Sequence, residues 1–411
     1  MSTLINKKQK KGNQNHKKTK KNNPVKKGGQ VPLSIPNKKR DPSLETGGSL
    51  LNEILIQPWG TSEDDLTLIP PEVEQLAKKA IQHYDMKVHG MTLITSKPDK
   101  GGAIWKINTS KGLRGLKLLH RPPSRSLFSV AAQDYLIKQG ARVPPLIPDK
   151  KGELSVELGG KLWIVTKWID TLTQATKIDL SGAKELCYGL GEFHKLSKGY
   201  KPPREAERES RLYRWPNYYQ KIITKIDWFK KIATVYHDTP ASPTLLSVVD
   251  GYHKQAVKSL AQLQQSPYAK LVSRGEEYWG LAHQDYGWSN GQLGPGGVWI
   301  IDLDGVAYDL PIRDLSKLIT GTMDDLGGWD VPWILGMIDA YHQANPIEPE
   351  LFQLLMVDLA FPSSFYKQLK EMVYDPAAFL NIETDNLIKR MIHIDNTKRT
   401  ALKAIKNWRG K

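Results

Sequence analysis

His283-Gln284-Asp285-Tyr286-Gly287-Trp288-Ser289-Asn290, followed by Ile300-Ile301-Asp302-Leu303-Asp304, is the stretch from which the rest of the chain can be ordered. Phosphoryl transfer from a nucleotide asks little covalent chemistry of a protein. It needs metal ions held by carboxylate and amide oxygens, and a carboxylate that orients the attacking hydroxyl. The stretch offers those groups in a useful order. Asp285 can point at an acceptor hydroxyl, Asn290 can reach a metal from the end of the same loop, and Asp302 arrives on the neighbouring strand. Such oxygen ligands suit Mg²⁺, a hard cation completed by waters and substrate phosphates. Alone, His-x-Asp-x-x-x-x-Asn is weak: with each fixed residue at ~5% of average composition it arises by chance in roughly one chain of this length in twenty. The signal becomes strong when joined to the apolar strand ending in Asp-x-Asp and to an upstream sheet with a Gly-Gly turn and a strand lysine.

That sheet is predicted over residues 91–95, 103–109 and 113–120, short apolar segments separated by Ser96-Lys97-Pro98-Asp99-Lys100-Gly101-Gly102 and Ser110-Lys111-Gly112. Lys117 stands in Gly115-Leu116-Lys117-Leu118-Leu119, where a charge among apolar neighbours needs a partner. It reads either as a phosphate-pairing lysine or as a solvated edge lysine, and the lobe context favours the first. Gly101-Gly102 either lets backbone approach phosphates or merely supplies a positive φ. Apolar spacing after Pro70-Pro71 predicts a helix over 72–81; further helices are expected over 127–138, ended by Gly140, and over 180–196, 218–236, 251–265, 331–344, 349–359 and 383–408. Residues 162–166, 279–281 and 298–303 read as strands. No fixed-period repeat is evident. The expected fold is α+β: a small antiparallel-sheet lobe over residues 46–168 and a larger, mainly helical lobe with the catalytic loop over 169–411.

The 411 residues carry 59 Lys plus Arg against 43 Asp plus Glu, a formal net charge of +16. Thirteen of the basic residues lie in residues 1–40, which have no acid, so the remainder holds 46 against 43. Residues 1–45, rich in Lys, Asn, Gln, Gly and Pro, have the composition of a disordered basic tail. It reads as a solubilising arm or as an electrostatic tether to an acidic surface or partner. With a near-neutral body, nucleic-acid binding is disfavoured. No stretch approaches the ~20 apolar residues of a membrane span, and the polar N-terminus lacks the apolar core of a secretory signal; a soluble protein made in the cytoplasm is expected. The single cysteine, Cys187, excludes an internal disulfide and reads as a buried thiol.

These motifs, in this order, resemble those of the aminoglycoside phosphotransferase and choline kinase superfamily of protein-kinase-like enzymes, over residues 85–345. The matching positions are Lys117, the linker Trp163-Ile164-Val165-Thr166-Lys167-Trp168-Ile169-Asp170, Leu190-Gly191-Glu192-Phe193-His194, the loop from His283 to Asn290, Asp302, and Asp309-Leu310-Pro311-Ile312-Arg313-Asp314-Leu315. Within the superfamily the chain is similar to CotS-type spore-coat proteins, through Leu127-Phe128-Ser129-Val130-Ala131-Ala132-Gln133, Tyr135-Leu136, Ala340-Tyr341 and Ala360-Phe361-Pro362-Ser363-Ser364-Phe365-Tyr366. The resemblance implies a bilobal kinase-like fold binding ATP and Mg²⁺ between its lobes. It makes Asp285 the catalytic carboxylate, Asn290 and Asp302 the metal ligands, and Lys117 the phosphate-pairing lysine. Backbone at Thr166, Lys167, Trp168 and Ile169 would hold the adenine, and the turn containing Ser96, Gly101 and Gly102 would cover the phosphates. His283, Asp314 and His194 match bracing positions. Asp304 is left either as a metal contact or as a residue that turns the chain. One departure stands out: residues 126–135, the helix after the lysine strand, contain no Glu to pair with Lys117, and Asp134 is the only acid there.

The implied function is ATP-dependent phosphorylation of a hydroxyl on a small molecule, in a protein made in the mother cell and deposited in the spore coat. Its partners would be nucleotide, a hydroxyl-bearing acceptor and, through the tail, other coat proteins or an acidic surface. Arg204, Arg208, Arg211 and Arg214, near Tyr213 and Trp215, read as part of an anionic or aromatic acceptor site or as a solvated helix. The competing reading is a structural coat protein that keeps the fold with little or no catalysis.

Overall fold

The computed structural model describes residues 54–61, 66, 68–175 and 179–410. The expected basic tail, residues 1–45, lies outside the described residues. In the sheet region α1 (Pro71–Gln82) is followed by β1 (Val88–Lys97), β2 (Gly102–Thr109), β3 (Gly112–Leu118), α2 (Pro123–Lys138), β4 (Leu146–Ile147), β5 (Val156–Leu158) and β6 (Lys161–Lys167). All neighbours are antiparallel, in the order β1-β2-β3-β6-β4, with β5 beside β6. Both helices open on proline, whose missing N–H costs nothing in a first turn.

Strand alternation sorts the side chains to two faces. Trp105, Ile107, Leu116, Leu118, Trp163 and Val165 pack on Val73, Leu76, Ala77 and Ala80 of α1. Leu162 and Ile164 pack with Leu119, Leu146 and Val130 of α2. Lys117 lies between Leu116 and Leu118, in register with Ile104 and Ile164, and so belongs to the second face. The segment 54–61 is laid against the sheet: the Ile56 N–H donates to the Gly159 carbonyl at 2.9 Å and the Trp59 N–H to the Pro98 carbonyl at 2.9 Å. At Gly101, φ is +68° and an added Cβ would stand 3.2 Å from the Gln57 carbonyl oxygen. Glycine is required there on both counts.

The helical region comprises β7 (Thr173–Gln174), α3 (Leu180–Ser197), α4 (Trp215–Val235), α5 (Ser242–Gln265), α6 (Tyr268–Val272), α7 (Glu276–Trp279), β8 (Leu281–Ala282), β9 (Gly291–Gly294), β10 (Gly297–Ile300), β11 (Ala307–Tyr308), α8 (Ile312–Leu326), α9 (Val331–Ala344), α10 (Pro349–Ala360), α11 (Ser363–Leu369), α12 (Pro376–Phe379) and α13 (Ile382–Ile405). Its core is the largest apolar cluster, with Tyr219 stacked on Phe361 and Tyr252 on Phe365, each at 3.8 Å between ring centroids. α3 meets β10 so closely that a Cβ on Gly189 would lie 2.5 Å from Val298 Cβ.

Several expectations need correction. The strand expected over 279–281 is instead the end of a helical turn followed by β8. The strand over 298–303 stops at Ile300, because Asp302 takes a left-handed backbone, φ 58°, that no β-ladder tolerates. α5 starts at Ser242 rather than 251, and a helix, α8, begins within the motif from Asp309 to Leu315, where none is expected. Residues 204–214 form no helix; an isolated bridge from Ser210 to Tyr308 ties them to β11.

Candidate functional site

The loop from His283 to Asn290 joins β8 to β9, and the β9–β10 hairpin returns the chain to Asp302. Asp314, at the start of α8, fixes the loop's entrance. Its carboxylate accepts the backbone N–H of His283 and, at 3.0 Å, that of Gln284. It also contacts His194 Nε2 at 3.2 Å, while His194 Nδ1 meets the Tyr341 hydroxyl at 2.8 Å. Asp314 and His194 are fully buried. Burial alone would raise the Asp314 pKa, but the hydrogen bond from His194 and the charge of Lys317 outweigh it and hold the carboxyl below the usual range. Gln284 carries a positive φ of 71° and is held from three sides. Its amide donates to Asp309 at 3.0 Å, its side-chain oxygen accepts from Arg211 at 3.2 Å, and its carbonyl accepts from Lys317 at 2.8 Å.

His283 is buried, and burial lowers its pKa against the opposing charge of Asp314. Its Nδ1 accepts the Asp285 N–H at 3.3 Å, which leaves Nε2 to donate to the Ile301 carbonyl at 3.0 Å. One neutral imidazole thus ties the loop to the strand that leads into Asp302. The Asp285 side chain remains exposed. Asn290 Nδ2 donates to the Asp285 carbonyl at 2.7 Å, and the Asn290 carbonyl accepts the Ile301 N–H at 2.9 Å. The loop therefore closes on itself beside Asp302.

Across from it, Lys117 Nζ lies 2.6 Å from Asp302 Oδ1 and 2.7 Å from Asp304 Oδ1. Lys97, the last residue of β1, reaches Asp302 Oδ2 at 3.2 Å, and His120 Nδ1 lies 3.4 Å from Asp304 Oδ2. Lys117 is 14% exposed. Burial would lower its pKa, but Asp304 and Asp302 raise it overall. Burial acts in the opposite sense on the two carboxyls, and Lys117, with Lys97 at Asp302, brings both below their usual range.

Lys117, Asp302, Asn290 and Asp285 are therefore brought into one neighbourhood. The other expected positions are less uniform. Ser96 is buried, with its hydroxyl donating to the Leu68 carbonyl at 3.2 Å. Gly101 and Gly102 lie at the β1–β2 turn. The Lys167 and Trp168 amides already donate to Pro145 and Leu113 carbonyls, at 2.8 and 3.3 Å, and Thr166 is within the β6 ladder. Asp134 pairs with Lys138 at 2.6 Å, so the acid on α2 is not the partner of Lys117; Asp302 and Asp304 are. Of the arginine segment, Arg208 pairs with Glu276 and Arg211 alone reaches the loop; Trp215 Nε1 donates to Asp309 at 2.7 Å. Cys187 is fully buried, and burial pushes its thiol pKa up.

Sequence reasoning missed Lys97 and Lys317. Lys97 stands beside the Gly-Gly turn, the one signal it offered; Lys317 follows Asp314 by three residues, one turn along a helix that was not expected. Asp304, left open, is a partner of Lys117.

No protein-family profile matches the chain. Spore coat protein S of Bacillus subtilis (strain 168) is 28% identical over 294 residues, covering 71% of this chain and 82% of that protein. Among solved structures, an aminoglycoside phosphotransferase from Alicyclobacillus acidocaldarius superposes with a TM-score of 0.68 at 17% identity, covering 84% of this chain and 97% of that one. Spectinomycin phosphotransferase, solved with ADP and spectinomycin, superposes with a TM-score of 0.53 at 14% identity, covering 81% and 98%. Amicoumacin kinase, solved with AMP-PNP and Ca²⁺, gives 0.51 at 14%, covering 80% and 93%. The chain thus has the kinase-like phosphotransferase fold, and its sequence is similar to that of a spore-coat protein.

Proposed function

We propose that the protein is an ATP-dependent phosphotransferase acting on a hydroxyl of a small molecule and associated with the spore coat. The observation that carries this reading is the convergence of Asp285, Asn290, Asp302 and Lys117 in one neighbourhood. In this reading the exposed Asp285 carboxylate takes the acceptor's proton as its oxygen bonds to the transferred phosphorus and ADP departs. Asn290 fixes the loop through the Asp285 carbonyl and keeps its own side-chain oxygen for a cation. Lys117, held by two carboxylates, meets nucleotide phosphates.

The donor set fits Mg²⁺: Asp302 and Asn290 offer hard oxygens only, and both ring nitrogens of His283 are already engaged. When bound, the ion would neutralise phosphate charge. The likeness to spore coat protein S supports coat association, and the structures solved with ADP and with AMP-PNP support nucleotide as the ligand. No helix among the described residues is long and apolar enough to cross a membrane.

A second reading, a coat protein that retains the fold without turnover, is favoured by one observation. Asp302 already carries two lysines, and α2 supplies no carboxylate to Lys117, so that Asp304 alone would hold it once a cation takes Asp302. The test is thermal unfolding with millimolar ATP and Mg²⁺. A ligand bound only by the folded protein raises the melting temperature; the parent should shift and Asp302→Ala should not. An unmoved parent overturns the enzyme reading.

A further inference from the structure

A concavity of about 1320 Å³, remote in sequence from the loop at Asp285, lies between α5, α10 and α13. It exceeds the ~300–1,000 Å³ typical of small-molecule pockets. Lys254 and Lys258 line it from α5; Arg399 and Lys403 line it from α13, and Lys406 from just past its end. All five are exposed, and none has an ion-pair partner among the described residues. The single carboxylate of the lining, Asp395, is engaged by the Tyr252 hydroxyl at 2.6 Å. A sixth cation, Lys398, also lines the concavity and is 5% exposed. Its ammonium, which has three protons to donate, makes one long hydrogen bond, 3.4 Å to the Phe361 carbonyl, and lies 4.9 Å from the Trp329 ring centroid.

We propose that this groove docks an acidic segment of a partner polypeptide. Charge complementarity selects the sign of the occupant: the five exposed cations face one occupied carboxylate, the buried Lys398 being already under the influence of Asp395, Asp324 and Asp358, while the known basic part of this chain, residues 1–40, has the wrong sign to fill it. The rest of the lining selects a peptide over a nucleic acid. Gln262, Gln265, Gln353 and Asn396 offer amides that both donate and accept, as a peptide backbone requires. No exposed aromatic ring lines the groove for a base to stack upon, Tyr252 being 7% exposed.

Fluorescein-labelled poly-L-glutamate and a labelled duplex DNA serve as probes for the full chain at fixed salt. Two triple variants carry the same net charge and the same tail: Lys258→Glu/Arg399→Glu/Lys403→Glu in the groove, and Lys151→Glu/Lys184→Glu/Lys195→Glu elsewhere. The groove variant should bind poly-L-glutamate at least tenfold more weakly than the other. Equal binding by the two variants overturns the proposal, and so does a groove variant that loses DNA but keeps poly-L-glutamate. Hydrogen exchange on the parent reads the site independently of how the variants fold. Poly-L-glutamate should protect α5 and α13; protection confined to other elements overturns the proposal.

Discussion

Two carboxylates organise this site, and they do so by opposite means. Asp314 is fully buried, and its partners are two backbone amides and His194, all from the helical region. Asp302 is a quarter exposed, and its partners are Lys117 and Lys97, both from the sheet. The first arrangement fixes a backbone path and has nothing left to offer a ligand. The second holds two regions together through charges that nucleotide phosphates and a cation would also seek. A buried polar group with all its partners stabilises one conformation; an ion cluster with partial access to water has less to lose by exchanging a partner. The difference separates what shapes the loop from what is available for binding.

The largest expected effect concerns the one carboxylate that neither cluster engages. Asp285→Asn should reduce phosphoryl transfer by about 10²–10⁴-fold, the usual worth of a positioned acid or base, while leaving the ATP-induced rise in melting temperature unchanged. A variant that retains parental turnover would remove Asp285 from the proposed chemistry.

Next is the brace itself. Asp314→Ala leaves two buried backbone amides and His194 without their acceptor, and should cost several kcal/mol in urea unfolding, at about 1–3 kcal/mol for each buried donor left unsatisfied. Asp302→Ala should cost clearly less, because Lys117 keeps Asp304 and Lys97 is partly in water. The ligand response is expected to be reversed, with the ATP shift lost only in Asp302→Ala. Equal destabilisation by the two substitutions would break the distinction between brace and binding corner.

Much of this was legible in the chain because the chemistry is local. Asp285 and Asn290 lie on one loop, Asp302 and Asp304 on one turn, and Lys117 is conspicuous as a charge between leucines. The lobes were legible from period: twofold alternation in the strands, three-and-four spacing in the helices. Lys97 was not, since an exposed lysine beside a turn is common and only tertiary structure brings it to Asp302. Nor was the strand end at Ile300, where apolar residues run on to Leu303 but the left-handed backbone at Asp302 breaks the ladder. The helix from Ile312 to Leu326 carries its signal in Ile312, Leu315, Leu318, Ile319 and Met323, all buried.

Lys97 and Lys117 divide the corner further. Lys97 is 36% exposed and Lys117 14%. A charge already in water loses less by exchanging partners and is screened more by salt. Lys117→Met should weaken ATP binding by roughly tenfold or more, and Lys97→Met by only a few-fold with less dependence on salt than the parent, as titration calorimetry at two ionic strengths would read. Matching losses would mean that the two lysines serve the phosphates alike.

The smallest effect is a difference in slope against pH. Asp302, Asp304 and Asp314 all have carboxyl pKa values lowered in the folded protein, despite burial, by the cations and hydrogen bonds around them. The unfolded chain therefore takes up protons first as pH falls. Stability from these groups is complete above the ordinary carboxylate range, near pH ~4, and is lost progressively below it. Asp314→Asn and Asp302→Asn should each flatten the decline of melting temperature between about pH 5 and pH 3. High salt should flatten it further in Asp314→Asn, where the partly exposed ion cluster remains, and very little in Asp302→Asn, where the buried brace is the main survivor. If salt acts on both variants alike, the Asp314 cluster is as open to solvent as the Asp302 cluster, and the contrast between them fails.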